Sequence, residues 1–348
     1  MASEQNYSKP LVAVIILNWN GDKILPRCLD AVRNQTFQDF EVIVVDNASE
    51  DNSMERIETD WPEVTTIYLK SNLGFAAANN HAANQARGRW LAFLNNDAFP
   101  HTDWLESLVR AAQNKRGHLF FCSCLIQANN PNLLESTGDI LHTSASAWHR
   151  DLNKKIEHSL TGAEQVFSPC GTAGFYDQES FLKVGGFDPD YFSHHEDVDL
   201  GFRLRLASLR CLYVPGAQVA HIGSASFGGE GNITIYQTQR NMVWTYFKNM
   251  PGLYFWKYLP AHIIANCFYL LHYTLNGHTK AVWKAKFDAL RGLPEMLKKR
   301  KIIQSQNKIN ADEIIKVLDH SLLGPYLLGS TGKKIKQFVK NFEFNRSK

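Results

Sequence analysis

Among its six cysteines the 348-residue sequence has no C-x-x-C pair and no zinc-like spacing. Length and composition exclude a small disulfide scaffold, and isolated thiols at this density read as buried residues in a reducing compartment. The N-terminus (residues 1–10) is polar and has no apolar core of a signal peptide, so the body of the protein is expected in the cytoplasm. No uninterrupted run reaches the roughly 20 apolar residues of a spanning helix. A strong excess of one charge is also missing, with 37 Lys+Arg against 34 Asp+Glu and a net +3. What is present is 44% hydrophobic and 20% charged residues, the balance of a chain with a real core, which excludes a mainly disordered or collagen-like protein. The length suits one large domain or two modest ones.

The near-neutral total hides an asymmetry. Residues 251–348 carry 17 Lys+Arg and 6 Asp+Glu, leaving 20 and 28 for residues 1–250: +11 against −8. An acidic body can hold a metal, and a basic, aromatic-rich tail can face anionic lipid. The stretch 252–273 is rich in Tyr, Phe and Trp but interrupted by Pro260, Lys257, His262 and His272. Together with Lys298-Lys299-Arg300-Lys301, it suits a helix lying in the headgroup region or one packed on another subunit.

The first hundred residues alternate buried-strand runs (11–17, 41–45, 65–69, 90–94) with helical stretches (25–33, 75–86). This order predicts a parallel, doubly wound sheet, in which ligands bind at the carboxyl ends of the strands. Those ends carry Asn18-Trp19-Asn20-Gly21, Asp46-Asn47, Asn72-Leu73-Gly74 and Asn95-Asn96-Asp97. Polar strand ends alone only mean solvated loops, but four successive Asn/Asp clusters point to a binding edge. Beyond residue 100 the spacing predicts a helix near 104–112 and a strand over 119–126. Residues 127–165 read as a loop-rich insertion near the site. A helix is expected over 200–207, and two short strands over 211–214 and 218–220, ending at His221.

Two constellations carry chemistry. Asp97, on a rigid strand end, can hold Mg²⁺ or Mn²⁺, which favour oxygen ligands and bridge phosphates. His221, followed by Gly223, Ser224 and Ser226, is the candidate second ligand, against the alternative of a structural histidine. The run His195-Glu196-Asp197-Val198-Asp199 opens a helix. Helix-dipole compensation explains one or two acids there. Three acids after two histidines point to a general base for an acceptor hydroxyl.

The motif order from Leu11 to Asn241 resembles glycosyltransferase family 2, in particular its bacterial rhamnosyltransferase-like branch. The matching stretches are 14–21 (VIILNWNG), 44–49 (VVDNAS), 72–80 (NLGFAAANN), 94–97 (LNND), 184–188 (VGGFD) and 196–200 (EDVDL). The resemblance implies an α/β chain of the GT-A class, the Rossmann-like fold of nucleotide-diphospho-sugar transferases, with a C-terminal helical, aromatic and basic extension. It implies a catalytic domain over 1–250, with a nucleotide-binding half at 10–100 and an acceptor half at 101–250. The tail, 251–348, is expected on a membrane or at an oligomer contact. Asp46 then corresponds to the acid that reads the pyrimidine base. Asn18 and Asn20 border the nucleotide, Asn72 and Gly74 lie beside ribose and phosphate, and Asn96 belongs to the same nucleotide-sugar site. Asn95-Asn96-Asp97 takes the place of the D-x-D motif, with Asp97 and His221 as metal ligands and Asn95 leaving the site one charge poorer. Asp197 corresponds to the catalytic base, with Glu196 second. Gln237-Thr-Gln-Arg240-Asn241 is similar to the Q-x-x-R-W motif of processive relatives, which makes Arg240 a candidate phosphate ligand. Asn241 in place of Trp implies one sugar added per encounter.

The expected function is inverting, Mg²⁺- or Mn²⁺-dependent transfer of a sugar, L-rhamnose from dTDP-L-rhamnose first. The expected acceptor is a glycan or lipid-linked hydroxyl in bacterial surface polysaccharide synthesis, at the inner face of the cell membrane. A UDP-sugar donor, or a non-catalytic membrane-associated nucleotide-sugar binder, are the alternatives. A nucleotidyltransferase would need a basic loop after strand one, and no Lys or Arg precedes Lys23 there. No nucleic-acid motif accompanies the basic tail.

Overall fold

The computed structural model describes residues 9–114, 117–160, 162–223 and 231–327; Ser224 and Ser226 lie outside the described residues. The chain runs β1 (Val12–Asn18), α1 (Leu25–Arg33), β2 (Phe40–Asp46), α2 (Ile57–Asp60), β3 (Val64–Tyr68), α3 (Gly74–Ala83), β4 (Trp90–Asn95), β5 (Ala98–Pro100) and α4 (Trp104–Asn114). There follow β6 (His118–Gln127), β7 (Leu134–Ser136), β8 (Asp139–Leu141), β9 (Ala147–His149), β10 (Gln165–Val166), β11 (Gly174–Asp177), α5 (Gln178–Lys183), α6 (Glu196–Leu206) and β12 (Arg210–His221). Helices α7 (Asn232–Asn249), α8 (Tyr254–Leu275), α9 (Thr279–Ser305), α10 (Ala311–Ile315) and α11 (Gly324–Leu327) complete it.

The main sheet has the order β10-β12-β6-β11-β4-β1-β2-β3. Strands β1 to β4 are parallel, as the alternation with helices predicts. The sheet as a whole is mixed, however, because β11 inserts antiparallel between β4 and β6. A two-fold reversal leaves β6 parallel to β4, and β12 is parallel to β6. The carboxyl ends of β1, β2, β4, β6 and β12 therefore share one edge.

Both faces of the sheet are covered, which is why its central strands are continuous apolar runs. Val12, Val14 and Ile16 of β1 face α1 and α4, while Ala13 and Ile15 face α3 and α6. The two short strands expected near 211–220 are one strand with a register shift between Tyr213 and Gln218. The insertion at 127–165 contains β7 and the hairpin β8–β9. A third core joins Val198, Phe202 and Leu206 of α6 to Met242 and Tyr246 of α7, Tyr269 of α8 and Val282 of α9. Pro260 does not break α8, because it lies on the exposed side, where a missing N–H bond is made good by solvent. Among the described residues no helix is long and apolar enough to cross a membrane.

Candidate active site

The pairing of the short strand β5 with the end of β12 brings the proposed metal ligands together. Antiparallel pairing sets Ala98 opposite His221, so the preceding Asp97 reaches the imidazole. Its Oδ1 lies 3.1 Å from Nε2, and both residues are buried. The other ring nitrogen, Nδ1, lies 2.8 Å from Glu135 on β7. Burial disfavours the imidazolium, but bonds to Asp97 and Glu135 outweigh it and raise its pKa to about 10.

The same line fits a divalent cation. Two adjacent ligands of an octahedral ion at about 2.1 Å stand about 3 Å apart, close to the Asp97–His221 separation. A carboxylate on the far nitrogen would fix the tautomer that leaves Nε2 free to ligate. Asp139, His149 and Cys170 form a second cluster, their candidate ligand atoms within 4.8 Å of one another. There His149 Nδ1 is already 3.1 Å from Asp139 Oδ1, and burial pushes the Cys170 thiol well up.

Asp197 and Glu196 open α6 with different surroundings. Asp197 is partly exposed and accepts backbone bonds from Gly171 (2.8 Å) and Val198 (2.7 Å). Burial, then the charge of Asp139, raise its pKa to about 7 despite those bonds. Glu196 is buried, its Oε2 has no hydrogen-bond partner among the described residues, and burial followed by the Asp197 charge raises its pKa well above the usual range. Asp199, one turn on, is fully buried and paired with Arg203 (2.8 Å) and Lys248 (2.7 Å), which makes it part of the scaffold.

The segment before α6 is strained. Phe192, His194 and His195 have φ of 65°, 65° and 68°, a region costly for bulky side chains. Helix α7 holds it there. Asn241, fully buried, donates its amide to the carbonyls of Tyr191 (3.0 Å), Ser193 (2.9 Å) and His194 (2.7 Å). Gln237 Oε1 accepts from the Ser193 N–H at 3.1 Å. Arg240 donates to the carbonyls of Asp190 and Tyr191 and lies 4.2 Å from the Trp244 ring. The Q-x-x-R-N run thus clamps the loop that presents Glu196 and Asp197. Arg240, expected at a phosphate, is engaged with that loop.

The residues expected beside a nucleotide sit at the same sheet edge. Asn18, fully buried, donates to Ser53 (2.8 Å) and accepts from Asn96 (2.9 Å), tying β1 to the loop after β2 and to the end of β4. Asp46 is buried and accepts from the Ser49 N–H at 3.2 Å. Asn20, exposed at φ 52°, accepts from the Glu50 N–H at 2.8 Å. Asn72 bonds Asn47 (3.0 Å) and the Gly74 N–H (2.9 Å). Gly74, at φ 78°, leaves room for a protein neighbour, since a Cβ there would lie 2.5 Å from the Phe192 ring and 2.7 Å from its carbonyl oxygen. Asn80 grips the Phe187 backbone on both sides (2.6 and 2.9 Å). The motifs at 72–80 and 184–188 therefore recognise each other, joining the two halves of the site.

Reasoning from sequence missed Glu135, Asp139 and His149, which lie in the insertion. The signal for Glu135 was the short alternation in Leu134-Glu135-Ser136, hidden among polar neighbours.

A GT-A sheet with carboxylates and a histidine at its carboxyl edge defines the class. Residues 13–185 match the family model described as glycosyl transferase family 2, and the chain belongs to that family. It is 37% identical over 102 residues to the glycosyltransferase AglE of Haloferax volcanii, covering 28% of this chain and 34% of that protein. It is 25% identical over 242 residues to the N-acetylglucosaminyl-diphospho-decaprenol L-rhamnosyltransferase of Mycobacterium tuberculosis, covering 63% and 78%. The mannosyltransferase PcManGT of Pyrobaculum calidifontis, solved with GDP-Man and Mn²⁺, shares the fold with a TM-score of 0.52, 17% identity and 86% of each chain covered. The chain spans 34%, 18% and 45% of the length of three curated relatives it matches.

Proposed function

We propose that this protein is an inverting, metal-dependent glycosyltransferase that moves a sugar from a nucleotide-diphospho-sugar to an acceptor hydroxyl. The observation that carries this reading is the Asp97–His221–Glu135 line at the sheet edge that Asp46 and Asn72 also border. Asp97 and His221 would hold Mg²⁺ or Mn²⁺, which, when bound, neutralises charge on the leaving diphosphate. Asp46, Asn20 and Asn72 would border the nucleoside, with Asn18 and Asn96 fixing their strand ends.

Asp197 acts as the base. It takes the proton from the acceptor hydroxyl as the oxygen forms its bond to C1 of the sugar. The bond from C1 to the phosphate oxygen breaks, and the nucleoside diphosphate departs with that electron pair. Attack from the face opposite the leaving group inverts C1. A carboxyl with pKa about 7 suits a base working near neutrality, and partial exposure lets Asp197, rather than Glu196, meet an acceptor.

The mycobacterial relative's name favours L-rhamnose as the sugar, with dTDP-L-rhamnose first and a UDP-sugar second. That name also supports a lipid-linked acceptor, with a glycan hydroxyl in surface polysaccharide synthesis as the other candidate. The test is release of nucleoside diphosphate from dTDP-, UDP- and GDP-sugars with a glycan acceptor, in Mn²⁺, Mg²⁺ or chelator. Release from one donor, abolished by chelator, is expected. Binding of a donor without release under any acceptor would leave the non-catalytic alternative standing.

A further inference from the structure

The C-terminal helices leave an apolar surface that the fold does not use. Helix α8 turns Phe255, His262, Ala265, Tyr269 and Tyr273 inward. Its opposite face is apolar as well: Leu253, Trp256, Ile263, Ile264, Leu271 and Leu275 are exposed, Trp256 at 68% and Leu275 at 76%. On α9, Trp283, Phe287 and Leu290 continue the pattern at i, i+4 and i+7, with Phe287 66% exposed. Lys286 Nζ donates to Asn266 Oδ1 at 2.6 Å, which sets the two helices side by side at this level. Single exposed apolar residues are ordinary, but aligned rows of them on adjoining helices mark a surface that meets a partner.

Charge selects the partner. Lys257, Lys280, Arg291 and Lys301 are exposed beside these rows and form no salt bridge among the described residues. Lys284 and Lys298 are balanced by Asp288 and Glu295. No Asp or Glu occurs from Pro251 to Phe287. A symmetric contact between two copies would bring these cations together, whereas anionic headgroups attract them. At about 1.5 Å per residue, the 22 residues of α8 extend about 33 Å along the surface.

We propose that the exposed face of α8 and α9 docks in plane on a bilayer containing anionic phospholipid, its apolar rows at the boundary of headgroups and acyl chains. The inference rests on this surface alone and not on the reaction proposed above.

The test is flotation of the full chain with vesicles of phosphatidylcholine, or of phosphatidylcholine mixed with phosphatidylglycerol, at low and high salt. Binding to the mixed vesicles should exceed binding to phosphatidylcholine by at least about tenfold and fall with salt. The double variant Trp283→Glu/Phe287→Glu, whose exposed side chains leave the core intact, should lose more than about tenfold while keeping its melting temperature. Lys280→Gln should weaken binding by about fivefold, the worth of one cation at such a surface. Wild-type protein that ignores both vesicles overturns the proposal. So does a dimer seen by light scattering that Trp283→Glu/Phe287→Glu dissociates, which would give the face to a second copy.

Discussion

Asn241→Ala removes the amide that holds the strained loop before α6. The wild-type amide shares two hydrogens among the carbonyls of Tyr191, Ser193 and His194. Tyr191 O keeps the Ser193 N–H at 2.8 Å and Arg240 at 2.9 Å, so the loss falls on Ser193 and His194. A buried carbonyl stripped of its donor costs about 1–3 kcal/mol, and two give a destabilisation of about 2–6 kcal/mol. The φ values near 65° at Phe192, His194 and His195 then lose part of what holds them, and the loop relaxes toward ordinary backbone. Glu196 and Asp197 begin where that loop ends, so the proposed base moves, and a displacement of about 1 Å costs on the order of 10²-fold in turnover. Denaturant titration gives the stability, and turnover measured well below both unfolding transitions gives the catalytic effect. Two results refute the reasoning: unchanged stability, or lost stability with an unchanged kcat. Either would show that the loop keeps its shape without the clamp.

Further outcomes follow from the same geometry. Because Asp197 must be ionised to accept a proton, and burial and Asp139 raise its pKa to about 7, kcat/KM should climb as pH rises through about 7 and level off above. Asp139→Asn removes a like charge and should move that limb to lower pH; a limb that stays put would exclude Asp139 as its cause. Glu135→Gln should weaken Mn²⁺ binding by about 10–100-fold, as loss of the carboxylate behind a ligating histidine does. Titration of Mn²⁺ by magnetic resonance, without donor, would show this, and unchanged affinity would remove His221 or Glu135 from the metal site.

Much of the scaffold was legible because buried parallel strands announce themselves. The runs at 12–18, 40–46 and 90–95 are apolar on both faces, and their ends carry the Asn and Asp residues that meet at the edge. The mixed sheet was not legible, because β11 is four residues long and its direction depends on partners over fifty residues away in sequence. Asp97 and His221 could be paired from their strand-end positions, whereas Glu135 could not, since only the β6–β7 register brings it to Nδ1. Motif residues also conceal their work. Gly74 read as part of a nucleotide loop and Asn80 only as part of the same matching stretch, yet their close contacts are with Phe192 and Phe187. Arg240 carries a charge that suits phosphate, and its nearest partners are backbone carbonyls.

The most direct test of the central claim is Asp197→Asn, assayed at once for nucleoside diphosphate release and for donor binding by thermal shift with Mn²⁺. The side chain keeps its shape, and its one oxygen can still accept one of the two backbone bonds, from Gly171 or from Val198, so folding should persist. Release should vanish, while a donor at about 100 times its Kd still stabilises the protein by about 2.7 kcal/mol. Retained release in Asp197→Asn would contradict the account and move the base to another carboxylate.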